Sequence, residues 1–234
     1  MLQDLKELYG RKLAASDGDT GHVADFYFDD KSWVVRYVVA DTGTWLAGRK
    51  VLLTPHAFGP LEPDGGALSV NLTRKQIENS PSIDLHKPIS RQYEIEYYRH
   101  FGWPTYWAGD WMWGISSYPV VLPVPADIVE AQRRLDHKGD QHLRSARAVD
   151  GYQIEASDGV IGHLSSFRLN PKSWEIREVV VETGHWHLGK TVLILPRQID
   201  GISYQEGRVF VNLTKDEIQR TGEEQVAHAG ARTP

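Results

Sequence analysis

The sequence predicts a mainly β protein made of two tandem small β-barrels, each closed by a short C-terminal helix and joined by an aromatic, proline-rich connector. Three observations carry this expectation. Shifted by 141 residues, positions 15–77 align on 156–218 without a gap, and 26 of the 63 pairs are identical, which marks a duplication. Each copy is a series of short β-branched or alternating runs punctuated by turn residues. Both copies end in the same helix-capping signature.

The elements follow in order. Ala15-Ser16-Asp17-Gly18 and Ala156-Ser157-Asp158-Gly159 place Asp-Gly at a hairpin turn, where glycine takes positive φ. Alternation then sets His22, Ala24, Phe26 and Phe28 on one face, with Val23, Asp25 and Tyr27 opposite. In the second copy Phe167 and Leu169 point inward. Asp29-Asp30-Lys31 and Asn170-Pro171-Lys172 turn the chain into the β-branched runs Trp33 to Ala40 and Trp174 to Val181. Val51-Leu52-Leu53 and Val192-Leu193-Ile194 form a further strand, ended by Pro55 and Pro196. A last strand runs into Asn71-Leu72 and Asn212-Leu213. Thr73-x-x-Gln76 and Thr214-x-x-Glu217 then open the closing helix as capping boxes. So many short strands in so short a span suit a small barrel that protects its edges.

The pattern resembles the PRC-barrel family. The resemblance is carried by Gly21-His22-Val23-x-Asp25, Trp33-x-Val35-Arg36-Tyr37-Val38-Val39, Gly48-Arg49-Lys50-Val51-Leu52-Leu53 and Leu72-Thr73, and both copies fit. That family includes the cytoplasmic domain of the photosynthetic reaction-centre H subunit and the C-terminal domain of a ribosome-maturation factor. The resemblance implies an assembly or adaptor module that binds other proteins, and it transfers no catalytic residue. The chain lacks the H subunit's membrane helix and the maturation factor's separate N-terminal domain, so neither specific role is carried over. The expected organisation is a first copy over 1–80, a connector with a short helix over 81–142, a second copy over 143–221 and a disordered tail over 222–234.

The connector differs in character. Prolines interrupt it repeatedly, and ten aromatic residues fall between Tyr93 and Tyr118. Arg91 to Arg99 reads as a short helix with Tyr93 and Tyr97 one turn apart. Trp103, Tyr106, Trp107, Trp111 and Trp113 are the candidate interaction residues, because Trp and Tyr dominate binding energetics at interfaces. The competing expectation is that these rings fill the seam between the copies or cap an open end, since a small barrel alone has a marginal core.

Composition narrows the function classes. The formal charge is −5, which gives no electrostatic footprint for nucleic acid. There is no cysteine, which excludes disulfides, thiolate metal sites and cysteine nucleophiles. The opening Met1-Leu2-Gln3-Asp4 shows no signal-peptide pattern, and no window approaches a spanning helix. A cytoplasmic location is expected, with the cytoplasmic face of the inner membrane as the alternative.

Chemistry-bearing patterns are sparse. His22 and His163 occupy equivalent positions and read as half-buried turn residues. His185 and His187 share one face of a strand but have no third ligand near in sequence and no counterpart in the first copy. Asp17 to Gly21 lacks the ligand count of a calcium loop. Arg36 and Arg177 lie in the most apolar strand, where each needs an acid, with Asp41 and Glu182 as candidates. No phosphate loop or nucleophile elbow appears. No catalytic residue, metal or cofactor is therefore assigned. The expected function is a non-enzymatic protein–protein interaction or assembly module with an unidentified protein partner. The alternatives are a peripheral factor of a photosynthetic or electron-transfer membrane complex, and a metal- or small-ligand-dependent enzyme. The duplication itself suggests an internal pseudo-dimer, with a homo-oligomer also open.

Overall fold

The computed structural model describes residues 1–61, 65–81, 89, 91–107, 111–114, 116–121, 143–184 and 190–220. The histidines at 185 and 187 and the tail over 222–234 lie outside the described residues. The chain is mainly β, with two sheets that belong to two compact units.

The first unit comprises Glu7–Ser145 with the turn Asn170–Glu175. Its sheet contains β2 (Lys12–Ala15), β3 (Gly18–Asp29), β4 (Val34–Asp41), β5 (Lys50–Leu53) and β6 (Leu68–Val70) in the order β5-β4-β3-β2-β6. The short strand β7 (Leu143–Ser145) also pairs with β3. Helix α1 (Arg74–Glu78) follows β6, and helix α2 (Arg91–Phe101) opens the connector.

The second unit comprises Leu2–Lys6, Ala146–Leu169 and the chain from Ile176 onward. Here β8 (Gln153–Ala156), β9 (Gly159–Leu169), β10 (Ile176–Thr183), β11 (Thr191–Ile194), β12 (Ile199–Ser203) and β13 (Arg208–Val211) run in the order β11-β10-β9-β8-β13-β12. The strand β1 (Gln3–Asp4) pairs with β9. Each unit is thus completed by the short strand that precedes the other repeat. The registers match: Arg144 opposes Phe28, and Gln3 opposes Leu169, the residue equivalent to Phe28.

The duplication extends to irregularities that a hydrophobic pattern does not reveal. Three register shifts recur at equivalent positions. Thr20 and Ile161 are skipped between β2 and β3 and between β8 and β9. Ala24 and Ser165 are skipped next, and Arg36 and Arg177 after them. A bulge leaves one residue unpaired and turns the following side chains to the other face. The expected alternation is corrected here. The bulge at Ala24 puts Val23 on the buried side with Phe26 and Phe28, while His22 is exposed. His163 is exposed for the same reason, so neither repeated histidine is half-buried in a turn.

Gly21 and Gly162 have a steric cause. A Cβ at Gly21 would lie 2.0 Å from the Asp41 carbonyl oxygen, and one at Gly162 would lie 2.1 Å from that of Glu182. The β3–β4 and β9–β10 turns repeat as well. The Asp29 carboxylate accepts the backbone N–H groups of Lys31 and Ser32, and the Asn170 side-chain oxygen accepts those of Lys172 and Ser173. Trp33 and Trp174 close these turns in the left-handed region, at φ 55° and 60°.

The capping boxes are formed in both repeats. The Gln76 N–H donates to Thr73 Oγ1 and the Thr73 N–H to Gln76 Oε1, and Glu217 and Thr214 do the same. Thr214 also holds the Glu217 carboxyl below its ordinary range, by its backbone N–H first and its hydroxyl second. The hairpin aspartates contribute too. Asp17 accepts the N–H of Arg74, and Asp158 that of Lys215, so each satisfies an orphan donor of the closing helix.

Barrel closure, expected from the sequence, is not seen. Among the described residues β5 and β6 are the ends of an open path, as are β11 and β12 in the other unit. The terminal strands are short, and in the first repeat Pro55 and Pro60 remove ladder donors just beyond β5. No helix among the described residues is long and apolar enough to cross a membrane.

Candidate functional site

The two repeats differ in how β4 and its counterpart are covered. In the second unit the equivalent strand β10 keeps Arg177 and Glu182 exposed, as a strand with one solvated face does. In the first unit every residue from Val34 to Ala40 is buried. Both faces are covered, and the connector supplies part of the cover.

Helix α2 does this through one face. Tyr93, Glu94, Tyr97, Tyr98 and Phe101 recur at helical spacing. The Tyr97 hydroxyl donates to the Leu52 carbonyl at 2.9 Å and accepts the Thr54 N–H at 3.2 Å. Tyr93 donates to the Pro81 carbonyl. Glu94 is 1 % exposed and accepts two phenols, from Tyr37 at 2.9 Å and Tyr106 at 2.8 Å. These bonds satisfy polar groups that would be costly to bury alone. Burial first, then the negative charge of Glu94, raises the Tyr37 phenol well above its usual value. Burial likewise raises Tyr93, Tyr97 and Tyr98.

Arg36 sits at the centre of the cover. Its guanidinium donates to the Met112 carbonyl and to Ser32 Oγ, and lies 3.9 Å from Asp29. The sequence pointed to Asp41 as its partner. Asp41, five residues further along the strand and about 16 Å away, is out of reach of Arg36 and instead accepts the Gly43 N–H. The guanidinium also faces the Tyr106 ring at 3.9 Å and the Trp113 ring at 4.9 Å. Burial is the main cause lowering the Arg36 pKa, against nearby Tyr106 and Asp29, which raise it.

His56 closes the cluster. Its Nδ1 is 3.1 Å from Thr54 Oγ1, which in turn lies 3.3 Å from the Tyr98 hydroxyl. Its ring stacks on Trp103 and meets Trp113 edge-on at 5.1 Å. Nε2 is buried without a hydrogen-bond partner. Burial first and the positive Arg36 second lower its pKa from 6.5 to about 4, so at neutral pH it is an uncharged ring within an aromatic stack.

The five candidate interaction residues separate by environment. Trp113 is 1 % exposed, with Nε1 donating to the Ser173 carbonyl. Tyr106 is buried on Glu94. Trp103 is half-buried and stacked on Phe101 at 4.5 Å, and Trp107 is half-buried against Tyr98. Trp111 stands out at 62 % exposed, held by reciprocal backbone hydrogen bonds with Gly114. Most of these rings therefore plug the outer face of the first sheet, and one is presented to solvent.

Beside the plug lies a cleft of about 590 Å³, lined by Phe58, Tyr118 and Trp174 together with Gly59, Leu61 and Lys172. Sequence reasoning missed this cleft, and it missed Glu94, Thr54 and His56. A signal was present. In the alignment of the two repeats Tyr37 falls on Glu178, Thr54 on Leu195 and His56 on Arg197. Those departures mark where one repeat has been rebuilt. Among the described residues no group of three His, Asp or Glu is placed to hold a metal ion. No family model matches the chain, and no curated protein matches it.

Proposed function

We propose that the chain is a non-enzymatic protein–protein interaction module of PRC-barrel type, in which the connector rebuilds the first repeat into a docking face. The observation that carries this reading is the exposure of large apolar side chains along one stretch of the connector: Trp111 at 62 %, Tyr118 at 51 % and Val121 at 58 %. The neighbouring rings are folded away, so this exposure is not general to the segment. Exposed Trp and Tyr side chains suit a partner surface, where these residue types are enriched. The cluster below it, from Glu94 to His56, serves to hold that face rigid. The exchange of Gln3–Asp4 and Leu143–Ser145 supports reading the duplication as an internal pseudo-dimer, the single-chain counterpart of a swapped homodimer.

The test is capture of partners from native lysate with the wild type and with Trp111→Ala. Trp111 is exposed, so both proteins should melt together. Loss of a specific partner with an unchanged melt supports the reading, and identical capture by both counts against it. A second reading, a peripheral factor at a membrane complex, is favoured by the same exposed Trp and Tyr, which suit a membrane interface. Flotation with anionic liposomes separates the two.

A further inference from the structure

The end strands of the two sheets are not finished alike. The edge of β5 is closed by helix α2, where the Tyr97 hydroxyl donates to the Leu52 carbonyl and accepts the Thr54 N–H. The edge of β6 is closed by the chain before it. There the Gly59 N–H donates to the Ser69 carbonyl, and the Asn71 N–H to that of Ala57. The strand β12 is bulged at Asp200, an exposed acid. Charges, bulges and covering segments are how sheets protect their edges. Among the described residues β11 has none of these. It pairs with β10 over four successive positions without a register shift. The run Thr191-Val192-Leu193-Ile194-Leu195 contains no charge and no proline.

One bond fixes the direction of the β11 backbone groups. The Thr183 N–H donates to the Lys190 carbonyl at 2.9 Å, and bonded pairs alternate along an antiparallel ladder. Val192 and Ile194 therefore bond inward to β10, while the N–H and C=O groups of Thr191 and Leu193 point away from the sheet. No described residue bonds these outward groups. The Leu195 N–H is taken by Gln198 Oε1 at 2.8 Å. Side chains repeat the contrast between the units. Val39 and Leu52 are both buried, whereas their equivalents Val180 and Leu193 form a cross-strand pair whose outer member is only half-buried.

Outward donors and acceptors in ladder order, beside an apolar pair, are complementary to an added strand. The fold already takes strands from outside a repeat, since β1 extends β9 and β7 extends β3. A second copy suits this edge poorly. Two-fold pairing about Leu193 would set Thr191 opposite Leu195 and bring Lys190 of one copy beside Arg197 of the other, a like-charge contact at both ends. A five-residue edge, about 17 Å long, is also too narrow to bury by itself the roughly 1,600 Å² of a stable interface. We infer that β11 binds an extended segment of a partner protein as an added strand, with a β-branched residue opposite Leu193 and acids at its ends facing Lys190 and Arg197. This docking edge lies on the second unit and goes beyond the Trp111 face, which belongs to the first.

The test uses the full chain and a labelled peptide, Asp-Val-Thr-Val-Thr-Val-Asp, read by fluorescence anisotropy. The peptide should bind, and a version with Lys at both ends should bind more weakly. Only one edge of an added strand faces β11, so N-methylation of one alternate set of peptide amides should abolish binding while methylation of the other set should not. Thr191→Pro removes an outward donor and no bond of the sheet, so it should keep the melt and weaken the peptide about fivefold. Leu193→Lys, a second variant at a half-buried position, should weaken it as well, and Trp111→Ala should leave it unchanged. In the free chain the Leu193 amide should exchange faster than those of Val192 and Ile194, and it should slow when the peptide binds. Binding that tolerates both methylation patterns, or no binding at millimolar peptide, overturns the inference. So does a Leu193 amide already protected in the free chain, because the edge is then covered by the chain itself or by a second copy, which sedimentation at rising concentration tells apart. Peptide binding lost in Trp111→Ala would place the peptide on the first unit and overturn it too.

Discussion

The hydroxyl of Tyr37 donates to Glu94 Oε1 across 2.9 Å, and neither residue reaches solvent. The bond joins a strand of the first repeat to the connector helix, and Tyr106 donates to the same oxygen. Replacing Glu94 by Ala would leave two buried phenols without their acceptor, at a cost of about 2–4 kcal/mol. Tyr37→Phe removes one donor and leaves Tyr106 in place, which costs about 1 kcal/mol. Urea denaturation of both variants checks the ranking. Equal losses would show that the two phenols do not depend on Glu94.

His56 gives the fold a mild acid sensitivity. Its folded pKa is about 4, against an ordinary 6.5. Between those values the unfolded chain holds a proton on this residue that the folded chain does not. Stability is therefore complete above about pH 6.5 and is lost as pH falls toward 4, by about 3 kcal/mol for the full shift. His56→Phe should flatten the dependence over that window. Denaturation midpoints at pH 7 and 4.5 measure it, and an unchanged slope in the variant would place the acid sensitivity elsewhere.

The buried tyrosines set the alkaline limit. Tyr37 and Tyr97 lie well above the usual phenol value, and Tyr98 is raised as well, each chiefly by burial. Above about pH 10 the unfolded chain releases these protons while the folded chain keeps them, so stability falls as pH rises. Phenolate absorbance from this group should rise together with the loss of near-ultraviolet dichroism. A smooth titration of all tyrosines before unfolding would contradict their burial.

Gly21 and Gly162 should both refuse a side chain. A Cβ at either position would lie about as close to a backbone carbonyl oxygen as a hydrogen bond's proton does, at 2.0 and 2.1 Å. Backbone on both sides must move, and at Gly21 a φ of 119° adds strain. Each Gly→Ala change should cost more than about 3 kcal/mol, against about 1 kcal/mol for an average substitution. Thermal melts decide, and a loss within the average range would mean that the strands separate easily there.

Much of this architecture was legible in the sequence, because repetition reports itself. The capping boxes, the Asp-Gly hairpins and the β-branched strands all stand where both copies place them. The bulges at Ala24 and Arg36 were not legible, since one unpaired residue leaves composition and hydropathy unchanged while it turns the next side chains over. The aromatic connector was visible as a cluster, but its division into buried Trp113 and exposed Trp111 depends on which ring Arg36 and Ser173 engage. The first sheet ends at β6 among the described residues, and Pro60 stands at the position of Gly201 in β12, where a proline cannot supply a ladder N–H. A strand as short as Gln3–Asp4 carries no periodicity, and its pairing with Arg168 and Leu169 shows only in three dimensions.

That exchanged strand supports the last prediction. Asp4 accepts a hydrogen bond from Ser166 Oγ and lies 3.8 Å from Arg168. In the first unit the roles are inverted, with Ser145 Oγ donating to Asp25 at 2.6 Å. The two interactions occupy equivalent positions, one carboxylate and one hydroxyl each, with the acid contributed by opposite partners. Asp4→Ala should therefore loosen β9, although the residue precedes the first repeat. Ser145→Ala should loosen β3, although that residue precedes the second. Each loss is about 1–2 kcal/mol, the worth of a hydrogen bond to a charged group. Amide hydrogen exchange resolves the two strands separately. Protection lost at Phe167 and Leu169 in Asp4→Ala, with Phe26 and Phe28 unchanged, is the expected outcome. Loss confined to the strand nearest in sequence would show that the strands are not exchanged in solution.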